Sequence, residues 1–167
     1  QLEVTLKELT ITGTGDFAGQ ELLRVNTLST AVSLSSLWKS EGITVSEIIL
    51  NQPQLHLFVN PTGKANWDIS RPSAGSSSGN TRKPLQIDLT KIQLINSKIT
   101  YQDEQSKIKS GFGGGNFELS GMLKGSDTKL NFAGQADSIQ LEYNGKQLFS
   151  GMKLIGSGAI QANVEKM

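Results

Sequence analysis

Apolar and polar residues alternate along most of the chain. Leu2, Val4 and Leu6 share one parity, as do Leu55, Leu57 and Val59. Phe117, Leu119, Gly121 and Leu123 form a third such series, Leu130, Phe132, Gly134 and Ala136 a fourth, and Ile139, Leu141 and Tyr143 a fifth. A period of two sends apolar side chains to one face of a strand and polar ones to the other, the signature of antiparallel sheet with one covered face. Leu154 to Val164 reads as a final strand broken by Gly156 and Gly158. Helical spacing is confined to Leu34–Lys39, with Leu34, Leu37 and Trp38 on one side of a short turn. The expected fold class is all-β, with one or two very short helices: a curved, mostly antiparallel sheet forming a groove or a sandwich-like half-barrel.

The pattern also repeats. Ile43, Val45, Ile48, Leu50, Pro53, Leu55 and Leu57 recur 44 positions later as Ile87, Leu89, Ile92, Leu94, Ser97, Ile99 and Tyr101, and Val4, Leu6, Leu9 and Ile11 carry the same spacing near the start. A repeated unit with one apolar face points to a stacked sheet and away from an enzyme built around one cleft. Within the repeats the apolar parity switches across Ser46-Glu47, Lys7-Glu8 and Thr90-Lys91. One extra residue at each point returns the apolar set to its face if the strand bulges there, so a bulge or sharp bend is expected at all three. The Gly111–Gly115 run (GFGGG) should bend the strand feeding Phe117. Residues 71–83 (RPSAGSSSGNTRK) have no apolar anchor and read as a mobile Ser/Gly-rich connector inside one sheet system.

Composition narrows the chemistry. The chain has 167 residues, 36% hydrophobic and 19% charged, which suits a single β-rich domain over 1–167. A net charge of +1 with scattered basic residues gives no nucleic-acid footprint. Cysteine is absent, so there is no disulfide framework and no thiolate chemistry. His56 is the sole histidine; it alternates with Leu55 and Leu57, which points it to the polar face without metal-binding partners. Asp16 and Asp103-Glu104 look like turn formers, Asp88 and Glu142 like exposed strand residues, and no pair of acids suggests a hydrolase cleft. No nucleophile elbow or phosphate loop is present. No metal, no cofactor and no catalytic residue is expected. No apolar run approaches the ~18 residues that span a bilayer. The chain begins in mid-pattern at Gln1-Leu2-Glu3-Val4, and reads as a piece of a longer protein.

Residues 60–69, NPTGKANWDI, place a Gly turn and an Asn-Trp pair after a patterned strand. With the upstream Ile48-x-Leu50-x-x-Pro53-x-Leu55-x-Leu57, with Gly15-Asp16-Phe17-Ala18-Gly19, and with Ile95 to Asp103 as a strand ending in Tyr-x-Asp, this resembles the AsmA family of bacterial envelope proteins. The resemblance covers most of the chain. It implies a periplasmic module held to the inner membrane of a Gram-negative bacterium by an N-terminal helix outside this chain, with further C-terminal repeats beyond it. It also implies a non-enzymatic role in envelope biogenesis. The family is similar to TamB-type and bridge-like proteins, whose apolar β-grooves pass phospholipid between inner and outer membranes. The implied partners are phospholipid or another envelope lipid, the inner membrane, and outer-membrane or periplasmic proteins. A role in assembling outer-membrane proteins through sheet edges is the alternative.

Two sets of candidate residues follow. Leu55, Leu57, Val59, Ile99, Tyr101, Leu119, Leu123, Leu130, Phe132, Leu141 and Tyr143 could line a lipid path, or pack against one another in a closed core. Asn60, Gly63, Asn66 and Trp67 form a structural motif, in which the indole plugs the end of the sheet and Asn66 satisfies turn backbone groups. Trp38 is expected to be a second plug.

Overall fold

The 44-residue sequence repeat is the parallel register of the folded sheet. The computed structural model describes residues 2–32, 45–68, 90–124 and 127–163. They form β1 (Leu2–Thr12), β2 (Glu21–Val32), β3 (Val45–Asn51), β4 (Gln54–Val59), β5 (Lys91–Asp103), β6 (Ile108–Lys124), β7 (Asp127–Tyr143) and β8 (Lys146–Asn163), with one 3-10 turn at Gly15–Phe17. All strands join one 8-stranded sheet ordered β1-β2-β3-β5-β6-β7-β8, with β4 prolonging β3 between β2 and β5. The fold is therefore all-β, and the sheet is mixed: β5 runs parallel to β3 and β4, and every other pairing is antiparallel. Along the parallel seam Ile48 faces Ile92, Leu50 faces Leu94, Leu55 faces Ile99 and Leu57 faces Tyr101. Each copy of the repeat thus lies beside its twin, and like side chains stack on like. His56 Nδ1 meets Thr100 Oγ1 at 2.9 Å, and the Thr90 hydroxyl donates to Ser46 O at 2.6 Å, both at a sequence separation of 44.

The expected bend at Lys7-Glu8 and bulge at Ser46-Glu47 are present. Glu8 has φ 57°, and Ser46 is skipped between the Ala31–Glu47 and Val32–Val45 pairs. The third, at Thr90-Lys91, adjoins residues 87–89, outside the described residues; β5 begins at Lys91. The larger device is a second switch of parity. Glu8, Gln52, Asn96, Gly114, Ser138 and Gly151 all adopt positive φ, between 50° and 75°. They fall in β1, at the β3–β4 junction, and in β5, β6, β7 and β8, and the ladders skip at these places. Their alignment draws a crease across the sheet. At each crossing the apolar series moves by one position, from Leu6 to Leu9, Leu50 to Pro53, Leu94 to Ser97, and so stays on one face.

The inside of the crease is the core. Val25, Ser97 and Ala136 are 0%, 1% and 3% exposed, and Pro53 and Gly115 are buried beside them. In a single layer, a strip becomes this inaccessible when the two halves fold toward each other over it. Small residues permit the approach. A methyl group at Gly115 would lie 2.5 Å from the Phe112 ring, 2.6 Å from the Phe117 ring and 2.7 Å from Ser97 Oγ. The two rings meet above it with centroids 5.2 Å apart, and Ser97 Oγ donates to Gly115 O at 2.8 Å. Outside the crease, Asn116 Oδ1 accepts the Asn96 amide at 3.0 Å. The GFGGG run bulges as expected. Gly156 and Gly158, in contrast, do not break the last strand, which runs from Lys146 to Asn163. Gly158 gives room to an aromatic ring instead: the Phe132 ring lies over it, as the Phe117 ring lies over Gly134, while Gly156 faces open space. The Leu34–Lys39 turn, Trp38 and the 71–83 connector lie outside the described residues.

The Asn-Trp motif closes the edge of β4. Among the described residues β2 pairs with β4 only at Gln54 and Leu55. Asn66 serves the strand beyond Leu55: its amide nitrogen donates to His56 O at 2.8 Å, and its Oδ1 accepts the Phe58 amide at 2.9 Å. The connecting turn is held by Asn60 Oδ1, which accepts from the Thr62 and Lys64 amides, and by Gly63 at φ 81°. On the far face Phe17, from the 3-10 turn, meets Phe58 edge-on at 6.2 Å.

Four substitutions at three positions test this construction by denaturant unfolding. Gln52→Gly is expected to hold or raise stability, by up to about 1 kcal/mol, because the left-handed conformation costs glycine nothing, whereas Gln52→Val lowers it by about 1–2 kcal/mol. Gly115→Ala overfills the crease and costs about 1–3 kcal/mol. Asn66→Ala strands a half-buried carbonyl and amide, with an expected loss of about 1–3 kcal/mol. Unchanged midpoints for Gly115→Ala and Asn66→Ala would contradict the packing described.

Candidate apolar trough

Cross-strand pairing decides which side chains share a face. One ladder runs Leu6, Leu28, Leu50, Leu94, Phe117 from β1 to β6. The next runs Val4, Thr30, Ile48, Ile92, Leu119, Phe132. Beyond the crease, Ile11, Leu23, Leu55, Ile99 and Phe112 form a third, and Leu57, Tyr101, Ser110, Leu141 and Phe149 a fourth. All lie on the side that the crease folds over. The other side carries Thr5 bonded to Ser29 at 3.2 Å, Gln93 bonded to Glu118 at 2.9 Å, and Lys91 held between Glu47 and Glu118 at 3.6 Å from each. The sheet thus has an apolar inner face and an ion-paired outer one.

The sequence-derived lining residues fall on the inner face in two groups. Leu55, Leu57, Val59, Ile99, Tyr101, Leu141 and Tyr143 lie on one side of the crease; Leu119, Leu130 and Phe132 lie on the other. Leu123 pairs through its backbone with Thr128 in the second half. Among the described residues no second layer covers this face. Val59 is buried, most of the others are half-buried, and Phe132 and Tyr143 are 43% and 54% exposed. The alternation also extends to residues the sequence reading did not assign: Leu28, Leu50, Leu94 and Phe117 in the interior, and Leu2, Val4, Leu6 and Leu154 on the two edge strands, where they are exposed. Their parity was the available signal.

One end of the face is polar-tipped. There Tyr101 donates its hydroxyl to Asp103 Oδ2 at 3.1 Å, and the Ser106 amide donates to Asp103 Oδ1 at 2.9 Å. The Ser106 amide holds the Asp103 carboxyl below its ordinary range; partial burial acts the other way, and the Tyr101 hydroxyl assists the lowering. Burial, and then the Asp103 carboxylate, push the Tyr101 phenol up. Both effects keep Asp103 an acceptor and Tyr101 a donor at neutral pH. Asp103 is thus the turn former its position suggested. Trp67 sits beside Tyr101 with ring centroids 6.2 Å apart. His56 faces away from the trough, against Thr100. Among the described residues no three His, Asp or Glu side chains converge as metal ligands, and no helix is long and apolar enough to cross a membrane.

No curated protein and no solved structure matches the chain. The model of the AsmA family matches residues 1–162, nearly the whole of the creased sheet. The chain therefore belongs to the AsmA family, which associates it with the bacterial cell envelope.

Proposed function

We propose that the apolar face shelters lipid acyl chains, and that the protein is a non-enzymatic periplasmic module of phospholipid transport between the inner and outer membranes. In this reading the full-length protein is anchored in the inner membrane. The observation that carries the reading is an apolar face continued over the sheet from β1 to β8 without a covering layer among the described residues. Leaving a bilayer costs an acyl chain about 0.8 kcal/mol for each CH₂ exposed to water. A trough of Leu, Ile, Val and Phe offsets most of that cost while the head group stays solvated. The crease deepens the trough by turning its two halves toward each other. Binding needs no covalent step and no cofactor.

A second reading has its own support. The outer edges of β1 and β8 have no partner strand among the described residues. Unpaired edges carrying exposed apolar residues are templates for strand addition, which suits an assembly factor for outer-membrane proteins.

Leu57→Gln with Phe132→Gln places an amide in each half of the trough at positions that are not core. Native mass spectrometry of the purified protein is expected to show phospholipid on the parent chain and loss of most of it from the double variant, with the circular dichroism spectrum kept. A parent chain that carries no extractable lipid would contradict the trough. If proline in the middle of β1 abolishes activity while lipid occupancy is retained, the edge reading gains instead.

A further inference from the structure

The tyrosines and Trp67 gather at one end of the apolar face, where Phe149 joins them in the ladder of Tyr101 and Leu141, while its other phenylalanines lie further along. Phe112, Phe117 and Phe132 lie at the crease and in the half beyond it, with their rings over Gly115, Gly134 and Gly158. The aromatic side chains with a polar atom, Trp67, Tyr101 and Tyr143, all lie at the opposite end. Tyr143 closes β7 opposite Ile108, Tyr101 is two residues from the end of β5, and Trp67 lies against Tyr101. These are all of the tyrosines in the chain and one of its two tryptophans. Trp67 and Tyr143 are 42% and 54% exposed.

The same end gathers the turns 13–20, 60–64, 104–107 and 144–145, tied together along the rim by Glu104 N to Val59 O at 3.0 Å and Asn144 N to Lys107 O at 2.8 Å. It carries no positive excess. Lys64 pairs with Asp16 at 2.6 Å and Lys109 with Glu142 at 3.8 Å. The turns and the residues next to them also carry Lys107 and Lys146 against Asp68, Asp103 and Glu104. Indole and phenol side chains favour the head-group level of a bilayer, where the ring is in an apolar layer and the N–H or O–H is wet. A rim without a positive excess has no preference for anionic over zwitterionic lipid.

We propose that this turn end docks on a bilayer surface, with Trp67 and Tyr143 in the head-group region, so that the trough opens directly onto the acyl layer. The inference rests on the trough reading for its purpose, but docking and loading are measured separately. The Tyr101–Asp103 bond fixes one wall of the mouth, and the Phe-lined crease lies further in.

The test uses phosphatidylcholine vesicles and a chain carrying Trp38→Phe, in which Trp67 is the sole fluorophore of its type. Vesicles are expected to shift its emission to the blue and to float the protein, equally at low and high salt. Trp67→Ala with Tyr143→Ser is expected to lower flotation about tenfold or more; Trp67→Ala alone, which leaves the trough lining intact, lowers flotation while uptake of a soluble single-chain lipid stays unchanged. Ile155→Ser, at a site 77% exposed elsewhere on the sheet, should leave flotation intact. Absence of wild-type flotation, flotation by the double variant at the wild-type level, or an equal loss in Ile155→Ser would overturn the docking proposal. Loss of lipid uptake by every variant with flotation unchanged in Ile155→Ser would strike the trough reading and leave docking standing.

Discussion

The structure depends on keeping one face apolar while every strand turns a corner. A strand that bends through a single left-handed residue shifts its alternation by one position. The sequence has to shift its apolar series at the same place, or each side chain beyond the bend changes face. Gln52 and Asn96 meet that condition at equivalent points of the repeat, Glu8 meets it in β1, and Gly114, Ser138 and Gly151 continue it through the antiparallel strands. Glutamate, glutamine and serine are poor residues for that conformation. Their use here means that the surrounding ladders impose the bend, and the favourable burial of Val25, Ser97 and Ala136 beneath it offsets the local cost.

From this constraint the two faces follow. The inner one concentrates Leu, Ile and Phe around a narrow core. The outer one holds Lys91 between two glutamates and a ladder of hydroxyl and amide contacts. A closed domain of this length would spend its apolar stripes on itself. Here the described residues bury few large side chains completely, and the remainder stay half-exposed along a single face. The AsmA family assignment places such a face in the envelope. An apolar face of this kind left uncovered among the described residues is the feature on which the proposal of lipid binding rests.

Much of this was legible in the chain. Alternation located β1, β4, β6 and β7, and the spacing between Ile48 and Ile92 gave the repeat before it was seen to be a parallel register. The parity switches at Glu8 and Ser46 were visible. The switch between Leu50 and Pro53 was equally present, yet harder to see, because proline and serine stand where an apolar residue would mark the face. The choice between closed core and open trough was not legible, since both need the same alternation; it turns on the pairing order and on the lack of a second layer among the described residues. The role of Asn66 was legible in kind, as a residue satisfying backbone groups, but its partners His56 and Phe58 follow from the short pairing of β4 with β2, a tertiary fact. The sorting of Tyr and Trp to one end likewise requires the register.

The most direct test of the central claim is to let the lipid mark its own path. A phospholipid with a photoactivatable diazirine in its acyl chain would be bound, irradiated and mapped by peptide mass spectrometry. The account predicts adducts on the inner face, at Leu57, Ile99 and Phe132 among others, on both sides of the crease. Adducts concentrated on the outer face, at Lys91, Gln93 or Glu118, or no adduct at all, would contradict it.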